Sequence, residues 1–263
     1  MIRLSVNVNK IAVLRNSRGG TIPDVLKAAR TCIAAGCHGI TVHPRPDVRH
    51  ITRQDVLDLS AMLASEYRRI EFNIEGYPSD AFLDLIYAVK PTQCTLVPDR
   101  PDVLTSNAGW QLGPGTQWLR DVLKRLAGEN IRSSLFVEPD AAIIERAREF
   151  GAARIELYTG PYAHAFGTPA AHAILRSHRD AARLARKVGL GVNAGHDLDL
   201  ANIPAYAATL KGLQETSIGH ALIADALYIG LARAVKAYLK ALGSRPLTTA
   251  ANTPAEKRSL SRH

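Results

Sequence analysis

The sequence predicts an α/β protein built as a (β/α)8 barrel, in which eight parallel strands close into a cylinder inside a ring of helices. Short apolar runs typical of buried strands alternate with amphipathic helical stretches along residues 4–242. This alternation favours a parallel sheet. Eight strand–helix units in about 240 residues favour a closed barrel over an open, doubly wound sheet. Because no change of composition marks a boundary, we expect one domain over residues 1–242 and a basic, disordered tail over residues 243–263.

Each predicted strand is a short apolar run, and each predicted helix has an amphipathic pattern. Thr52 is a suitable N-cap with Asp55 three residues on, and Pro44 ends the second strand because proline cannot continue a sheet ladder. The predicted strands cover residues 4–8, 39–43, 69–74, 93–97, 131–137, 154–157, 189–193 and 215–218. The predicted helices cover residues 24–35, 79–89, 116–127, 140–150, 169–188, 200–208 and 220–242, with one more starting at about residue 53.

Composition excludes several classes of protein. The chain has 263 residues, of which 46% are hydrophobic, and no apolar run is long enough to span a membrane. Its N-terminus runs directly into a strand without the features of a signal peptide. Cys32, Cys37 and Cys94 have neither zinc-site nor disulfide spacing, so we expect reduced, buried thiols in a cytoplasmic protein. The net charge of +9 is scattered along the chain, which favours anionic metabolites over a nucleic-acid or membrane partner.

Polar and titratable residues follow nearly every predicted strand. In a barrel of this type the carboxyl ends of the strands form the active site. We therefore expect these residues to meet at one rim, where several histidines and carboxyl groups could carry out proton transfer. They are Asn7, Asn9, Lys10, His43, Arg45, Glu75, Asp99, Thr105, Glu138, Glu156, Thr159, Asn193, Gly195, His196, Gly219 and His220.

Two parts of this rim have features of anion sites. The segment after the second strand carries Arg45 and His50, and an arginine offers a bidentate fork to phosphate. Gly195-His196 and Gly219-His220 follow the last two strands, where glycines expose backbone N–H groups beside a helix start. The sequence therefore predicts a site for small phosphorylated substrates.

Several motifs, spread in order over residues 3–240, match a known family. The chain resembles the pyridoxine 5′-phosphate synthase family, whose members close the ring of vitamin B6. The matching motifs are Val6-Asn7, residues 11–19 (IAVLRNSRG), 39–45 (GITVHPR) with 49–52 (RHIT), 72–75 (FNIE), 96–98 (LVP), 155–160 (IELYTG), 192–196 (VNAGH) and 218–221 (IGHA).

The resemblance implies a condensation of 1-deoxy-D-xylulose 5-phosphate with 3-amino-2-oxopropyl phosphate, without a cofactor or a metal. It implies that His43 and Glu75 accept protons, that His196 donates one, and that the protein assembles as a homo-octamer. Contacts to the sugar phosphate would come from Asn9, Lys10, Arg45, His50 and Thr105. Contacts to the aminoketone phosphate would come from Asn7, Arg18, Asp197, Gly219 and His220, with Glu156 as a further substrate-binding residue.

Position 197 departs from the family pattern. The residue after the histidine of the VNAGH motif is commonly glycine, whereas this chain has Asp197. A carboxylate beside a phosphate is unfavourable, so we expect only the backbone N–H of Asp197 to contact the substrate.

Four other functions are alternatives that the sequence supports less well. A metal-dependent barrel hydrolase or lyase could use His43, Glu75, His196 and His220 as ligands, although the chain has no His-x-His after its first strand. A Schiff-base aldolase needs a lysine at a strand end, and only Lys10 lies near one. A Rossmann dehydrogenase would need a G-x-G-x-x-G motif after a strand, and no predicted strand is followed by one. A non-enzymatic scaffold predicts a rim without titratable groups that converge, and the rim predicted above contradicts this.

Overall fold

The computed structural model describes residues 1–99 and 108–247, and these form a closed barrel. Its strands pair in parallel and in chain order, with the last strand pairing with the first. The strands are β1 (Arg3–Asn7), β2 (Gly39–Val42), β3 (Glu71–Gly76), β4 (Gln93–Leu96), β5 (Arg132–Val137), β6 (Arg154–Tyr158), β7 (Gly191–Gly195) and β8 (Leu213–Ile218). The predicted (β/α)8 barrel is confirmed.

Helices surround the barrel and join its strands. They are α1 (Asn9–Asn16), α2 (Val25–Ala34), α3 (Arg53–Glu66), α4 (Asp80–Val89), α5 (Leu119–Gly128), α6 (Ala141–Phe150), α7 (Gly160–Ala165), α8 (Pro169–Lys187), α9 (Ile203–Thr209), α10 (His220–Ile229) and α11 (Leu231–Ala241). A turn of 3-10 helix at Pro114–Thr116 precedes α5. None of the described helices is long and apolar enough to cross a membrane.

The prediction of one helix after each strand was wrong at three places. The short helices α1 and α7 follow β1 and β6 directly, and at eight and six residues they are too short to show a clear amphipathic period. The helix predicted over residues 220–242 is divided at Gly230, whose φ of 84° lies in the left-handed region. Glycine adopts that conformation without a steric penalty, so the chain can change direction there.

Two strands extend two residues further toward the rim than predicted. β3 runs through Glu75 to Gly76, and β7 runs to Gly195. Glu75 is therefore part of the sheet, where its backbone is fixed opposite Thr95 of β4. The position of the Glu75 carboxyl group is set by the register of the barrel and not by a loop.

The apolar core lies between the barrel and the helices, whereas much of the barrel interior is polar. Ser5 Oγ and Thr41 Oγ1 are 2.7 Å apart, Asn73 Nδ2 donates to Thr41 Oγ1 at 3.3 Å, and Thr95 Oγ1 donates to Asn73 Oδ1 at 3.0 Å. Hydrogen bonds between side chains thus link four neighbouring strands and satisfy polar groups that burial would otherwise make costly.

The first residues of the predicted disordered tail pack against the bottom of the barrel. The Ser244 hydroxyl donates to Ile2 O, Arg245 O hydrogen-bonds His38 Nε2 at 3.0 Å, and the Leu247 N–H donates to Gly36 O at 3.0 Å. The ordered chain therefore extends beyond residue 242, where we had placed the end of the domain. The rest of that prediction, for residues 248–263, lies outside the described residues.

Candidate active site

A carboxyl group and an imidazole face each other at the mouth of the barrel. Glu75 is in β3 and His43 directly follows β2, and His43 Nδ1 lies 4.0 Å from Glu75 Oε2. Both side chains are largely buried. The Ser217 hydroxyl donates to Glu75 Oε1 at 3.4 Å, and Asn7 Nδ2 donates to Glu75 Oε2 at 3.4 Å. Residues from β1, β2, β3 and β8 therefore meet around one carboxyl group.

The two asparagines after β1 connect this group to the backbone. The His43 N–H donates to Asn9 Oδ1 at 2.9 Å, and the Asn9 N–H donates to Asn7 Oδ1 at 2.9 Å. Asn7 in turn reaches Glu75 through its amide nitrogen. Because each amide uses its oxygen for a backbone donor, the orientation of both asparagine side chains is fixed.

Burial separates the protonation states of the groups at this mouth. It raises the pKa of Glu75 to about 7, against the charge of His196, which lowers it. Burial, together with the charges of Glu75 and Glu215, raises the pKa of Glu156 well above its usual range. Burial and the charge of Arg45 hold the pKa of His43 well below its usual range. Near neutral pH, His43 is therefore neutral, Glu156 is protonated and Glu75 can exchange a proton.

Glu156 is a second buried carboxyl group, and its charge interacts with that of Glu75. It is buried in β6, and its Oε2 has no hydrogen-bond partner among the described residues. A Cβ atom at Gly195 would lie 3.2 Å from Glu156 Oε1 and 2.4 Å from Ser217 O. Only glycine fits at the end of β7, because β7 and β8 approach each other closely above Glu156.

His196 provides a second imidazole on the other side of the mouth. Its Nδ1 lies 2.8 Å from Asp197 Oδ2, and its ring contacts those of Phe136 and Tyr158. Burial lowers the pKa of His196, but the hydrogen bond and charge of Asp197, together with the charges of Glu75 and Asp99, raise the pKa overall. His196 therefore tends to hold a proton where His43 does not.

A positively charged region lies beside His43, after β2. Arg45 is buried and its Nη2 donates to Asp99 Oδ2 at 3.2 Å. His50 Nδ1 accepts the N–H of Ile51 at 2.9 Å, so the proton of the neutral ring lies on Nε2. Burial, followed by the charges of Arg45 and Lys10, lowers the pKa of His50 to about 4. Two cations close to a neutral N–H donor make this region suited to an anion.

The end of β8 forms a second region suited to an anion. Gly219 directly precedes α10, and no described side chain caps the N-terminus of that helix. Unpaired N–H groups and the helix dipole favour negative charge there. A Cβ atom at Gly219 would lie 3.2 Å from the Asn7 side chain, so this helix start lies next to the asparagine that holds Glu75.

Some predicted site residues are not joined to this cluster. Arg18 is exposed in the turn after α1, and within the described part of the chain no hydrogen bond or ion pair links it to the other predicted residues. His220 is exposed on the first turn of α10. The Asp197 N–H, expected to face a substrate, already donates to Gly195 O at 3.1 Å and Thr159 Oγ1 at 3.3 Å. Thr105 lies outside the described residues.

Two contributions to the site were missed by the sequence analysis. Ser217, one of the residues that hold Glu75, was not singled out, although it stands two residues before Gly219 in β8. Asp99 was placed on the rim, but its pairing with Arg45 was not foreseen. Strand alternation could have indicated an inward-facing Ser217, whereas the Arg45–Asp99 pair joins separate loops and has no signal in the sequence.

The fold and this site define a class of protein: a (β/α)8-barrel enzyme whose acid and base groups lie at the carboxyl ends of the strands, between two regions suited to anions. The family model described as "Pyridoxal phosphate biosynthesis protein PdxJ" matches residues 4–244 of the chain. A pyridoxine 5′-phosphate synthase of Bacteroides fragilis is 52% identical over 242 residues, covering 92% of this chain and 100% of the relative. One from Xanthomonas oryzae pv. oryzae is 52% identical over 248 residues, covering 92% and 96%. The chain therefore belongs to the pyridoxine 5′-phosphate synthase family of enzymes.

Solved structures with low sequence identity share the barrel. Phosphoribosyl anthranilate isomerase from Thermotoga maritima superposes with a TM-score of 0.57 at 14% identity, covering 92% of this chain and 99% of that one. The YdjI aldolase from Escherichia coli K12 gives a TM-score of 0.58 at 13% identity and covers 92% of both chains. At these identities the similarity shows the fold alone.

Proposed function

We propose that this chain condenses 1-deoxy-D-xylulose 5-phosphate with 3-amino-2-oxopropyl phosphate to give pyridoxine 5′-phosphate, phosphate and water. The observation that carries the proposal is the arrangement of His43, Glu75 and His196 around one barrel mouth with three different protonation tendencies. Joining an amine to a ketone and closing a ring requires several proton transfers at one place. Groups whose pKa values are set apart can perform such transfers in sequence.

His43 and Glu75 act as the proton acceptors in this proposal. His43 is neutral because burial and Arg45 disfavour its charged form, so a ring nitrogen can take a proton. Glu75, with a pKa of about 7, can take a proton from a substrate carbon and release it within one cycle. His196, whose pKa is raised, donates a proton to the oxygen that leaves as water.

The two regions suited to anions would separate the two substrates. We assign the sugar phosphate to the region of Asn9, Lys10, Arg45 and His50, and the aminoketone phosphate to Gly219 and His220 beside Asn7. The assignment is supported by the positive charge around His50 and by the uncapped start of α10. Glu156, Thr105 and Arg18 remain proposed contacts. We also propose that these steps need neither a metal nor a redox cofactor, because all of them are proton transfers, additions and eliminations.

The assembly and location implied by the family resemblance are proposals as well. We propose a homo-octamer, which is supported by exposed apolar side chains at the end of α10, Leu227 and Tyr228. A cytoplasmic location is supported by the three buried thiols Cys32, Cys37 and Cys94. Light scattering of the purified protein would measure the mass of the assembly, and a monomer at micromolar concentration would contradict the octamer.

The test of the proposed reaction is a direct assay of the product. Purified protein is incubated with both phosphorylated substrates, and pyridoxine 5′-phosphate and inorganic phosphate are measured together. We expect equal amounts of the two products, none when either substrate is omitted, and unchanged turnover after treatment with EDTA. Within the described residues no group of three His, Cys, Asp or Glu side chains is arranged to hold a metal ion. Loss of turnover in EDTA that zinc restores would instead support a metal-dependent hydrolase or lyase.

A further inference from the structure

The backbone on both sides of His196 is held by hydrogen bonds from neighbouring strands and loops. The His196 N–H donates to Ser217 O at 3.2 Å, and its φ of 72° lies in the left-handed region, which is uncommon for a residue with a side chain. Thr159 Oγ1 donates to Gly195 O and accepts the N–H of Asp197. The peptide groups around His196 are thus fixed, and a strained conformation maintained in this way is typical of a functional position.

The segment after Asp197 is tied down as well. Asn202 Nδ2 donates to Asp197 O at 3.4 Å, and the hydroxyl of the buried Tyr162 donates to Asn202 O at 3.1 Å. With its N–H and its carbonyl oxygen both engaged, the main chain of Asp197 is not available to a substrate phosphate. Its side chain is the part of this residue that can act at the site.

That side chain reaches back to the preceding residue. Asp197 Oδ2 lies 2.8 Å from His196 Nδ1. An ionised carboxylate can only accept a hydrogen bond, so Nδ1 must carry the proton of this contact. The other ring nitrogen, Nε2, is then the one through which His196 exchanges protons with a substrate, as in other carboxylate–histidine pairs.

We infer that Asp197 is a positioning residue, which fixes the His196 ring through an Nδ1–H···carboxylate hydrogen bond and keeps it charged for proton donation from Nε2. This inference deepens the proposed function and rests on it for the role of His196 as the proton donor. It replaces the expected contact between the Asp197 backbone and a phosphate.

Several other groups act on the same imidazole. Glu75 of β3 and Asp99 after β4 raise the pKa of His196, although less than Asp197 does. His43 after β2 is a second imidazole that interacts with it electrostatically. Tyr158 of β6 contacts its ring. Asp197 is the one in direct hydrogen-bond contact through Nδ1, so its removal should have the largest effect on protonation.

The inference can be tested without any activity measurement. Hydrogen exchange at the imidazole carbon between the two ring nitrogens, followed by mass spectrometry across a pH series, gives the pKa of each histidine in the whole assembly. We expect Asp197→Asn and Asp197→Gly each to lower the pKa of His196 by about one unit or more. Asp180→Asn is the matched control, because Asp180 is exposed on α8 and pairs only with Arg179 among the described residues. It should leave His196 unchanged.

Kinetics provide the second readout. In Asp197→Asn, we expect the decline of kcat at high pH to move to lower pH by the same amount as the pKa, with the KM of both substrates changed less than threefold. An unchanged pKa of His196 in both variants would overturn the inference, as would a loss confined to KM. If the wild-type protein makes no pyridoxine 5′-phosphate but the pKa still falls, the pairing stands and the proposed function fails.

Discussion

Burial distinguishes the carboxyl groups inside the barrel mouth from those on the surface. Glu66 is exposed, and a hydrogen bond from Arg30 lowers the pKa of its carboxyl group. Glu75 and Glu156 lie inside the barrel, where the loss of water raises the pKa of both. A glutamate is therefore a permanent ion on the surface and can be a proton carrier inside the barrel, because burial changes its pKa.

Replacement of Glu75 by Gln tests its role as a base. Gln has nearly the same size and can still accept from Ser217, but it cannot take up a proton. We expect turnover to fall roughly 10²–10⁴-fold with little change in KM. Activity within a few-fold of the wild type would remove Glu75 from the mechanism.

The stability of Glu75→Gln relative to the wild type should depend on pH. Since the folded-state pKa of Glu75 is raised to about 7, its neutral form is favoured by folding, and this contribution is lost as the pH rises through about 7. Glu75→Gln keeps a neutral side chain at every pH. Its thermal midpoint at pH 8 should therefore equal or exceed that of the wild type, which also shows whether a loss of turnover is due to misfolding.

The pH dependence of the wild-type enzyme follows from Glu75, which accepts a proton, and His196, which donates one. Glu75 must be ionised to accept a proton, so kcat/KM should rise with pH through about 7. His196 must be protonated to donate one, so the rate should fall again above its raised pKa. We expect a bell-shaped profile in a steady-state pH series. A rate that is constant from pH 5 to pH 9 would contradict both assignments.

Contacts between elements hold the segment after β2 in place. The Thr52 side chain accepts the N–H of Asp55 while the Asp55 carboxylate accepts the N–H of Thr52, which is the capping box predicted for α3. Arg15 of α1 pairs with Asp55 at 2.5 Å and also donates to His50 O at 3.3 Å. One guanidinium therefore joins α1, the start of α3 and the backbone of a proposed substrate-binding residue.

Replacement of Arg15 by Met tests this connection. Methionine keeps the apolar stem but removes the guanidinium and the four hydrogen bonds that it donates, so we expect a loss of about 2 kcal/mol in unfolding free energy. The KM for the sugar phosphate should rise several-fold while the KM for the aminoketone phosphate stays constant. Urea unfolding measures the change in stability, and steady-state kinetics measure the two KM values.

Arg30→Met is the matched control for that experiment. It removes the Arg30–Glu66 ion pair, whose side chains are each 43% exposed, so solvent screens the interaction and we expect little change in stability. We expect normal values of both KM in this variant. Equal kinetic effects in the two variants would show that Arg15 has no particular connection to the substrate site.

At the scale of the whole molecule, residues 244–247 meet the beginning of the chain at the bottom of the barrel. Ser244, Arg245 and Leu247 hydrogen-bond to Ile2, His38 and Gly36, which lie directly before β1 or in the turn before β2. His38 also accepts the N–H of Leu4 through Nδ1 at 3.1 Å. The segment after α11 therefore stabilises the start of β1, the strand that pairs with β8 to close the barrel.

Truncation measures what this segment contributes. A chain that ends at residue 242 loses the three hydrogen bonds to Ile2, His38 and Gly36, so we expect about 2–4 kcal/mol less stability and a Tm lower by roughly 5–15 °C. A chain that ends at residue 247 keeps all three bonds and serves as the control. If both truncations have the Tm of the full chain, the segment does not stabilise the barrel.

The sequence by itself determined the barrel and the position of most chemical groups along it. The alternation of apolar runs and amphipathic stretches reports which backbone faces are buried, and it predicts the closed barrel. Because the carboxyl ends of parallel strands meet at one rim, the placement of His43, Glu75 and His196 at that rim follows from the chain order alone. The motif resemblance then predicted the family to which the chain belongs.

Only the tertiary structure decided how those groups act on one another. The pKa of Glu75 depends on burial by residues of several strands, and the pairing of Arg45 with Asp99 joins loops 54 residues apart in the chain. The contact between Asp197 and His196 depends on a left-handed backbone that β8 and Thr159 hold in place. Distances, desolvation and strain arise from the packing of segments that are remote in sequence, so no local pattern of residues encodes them.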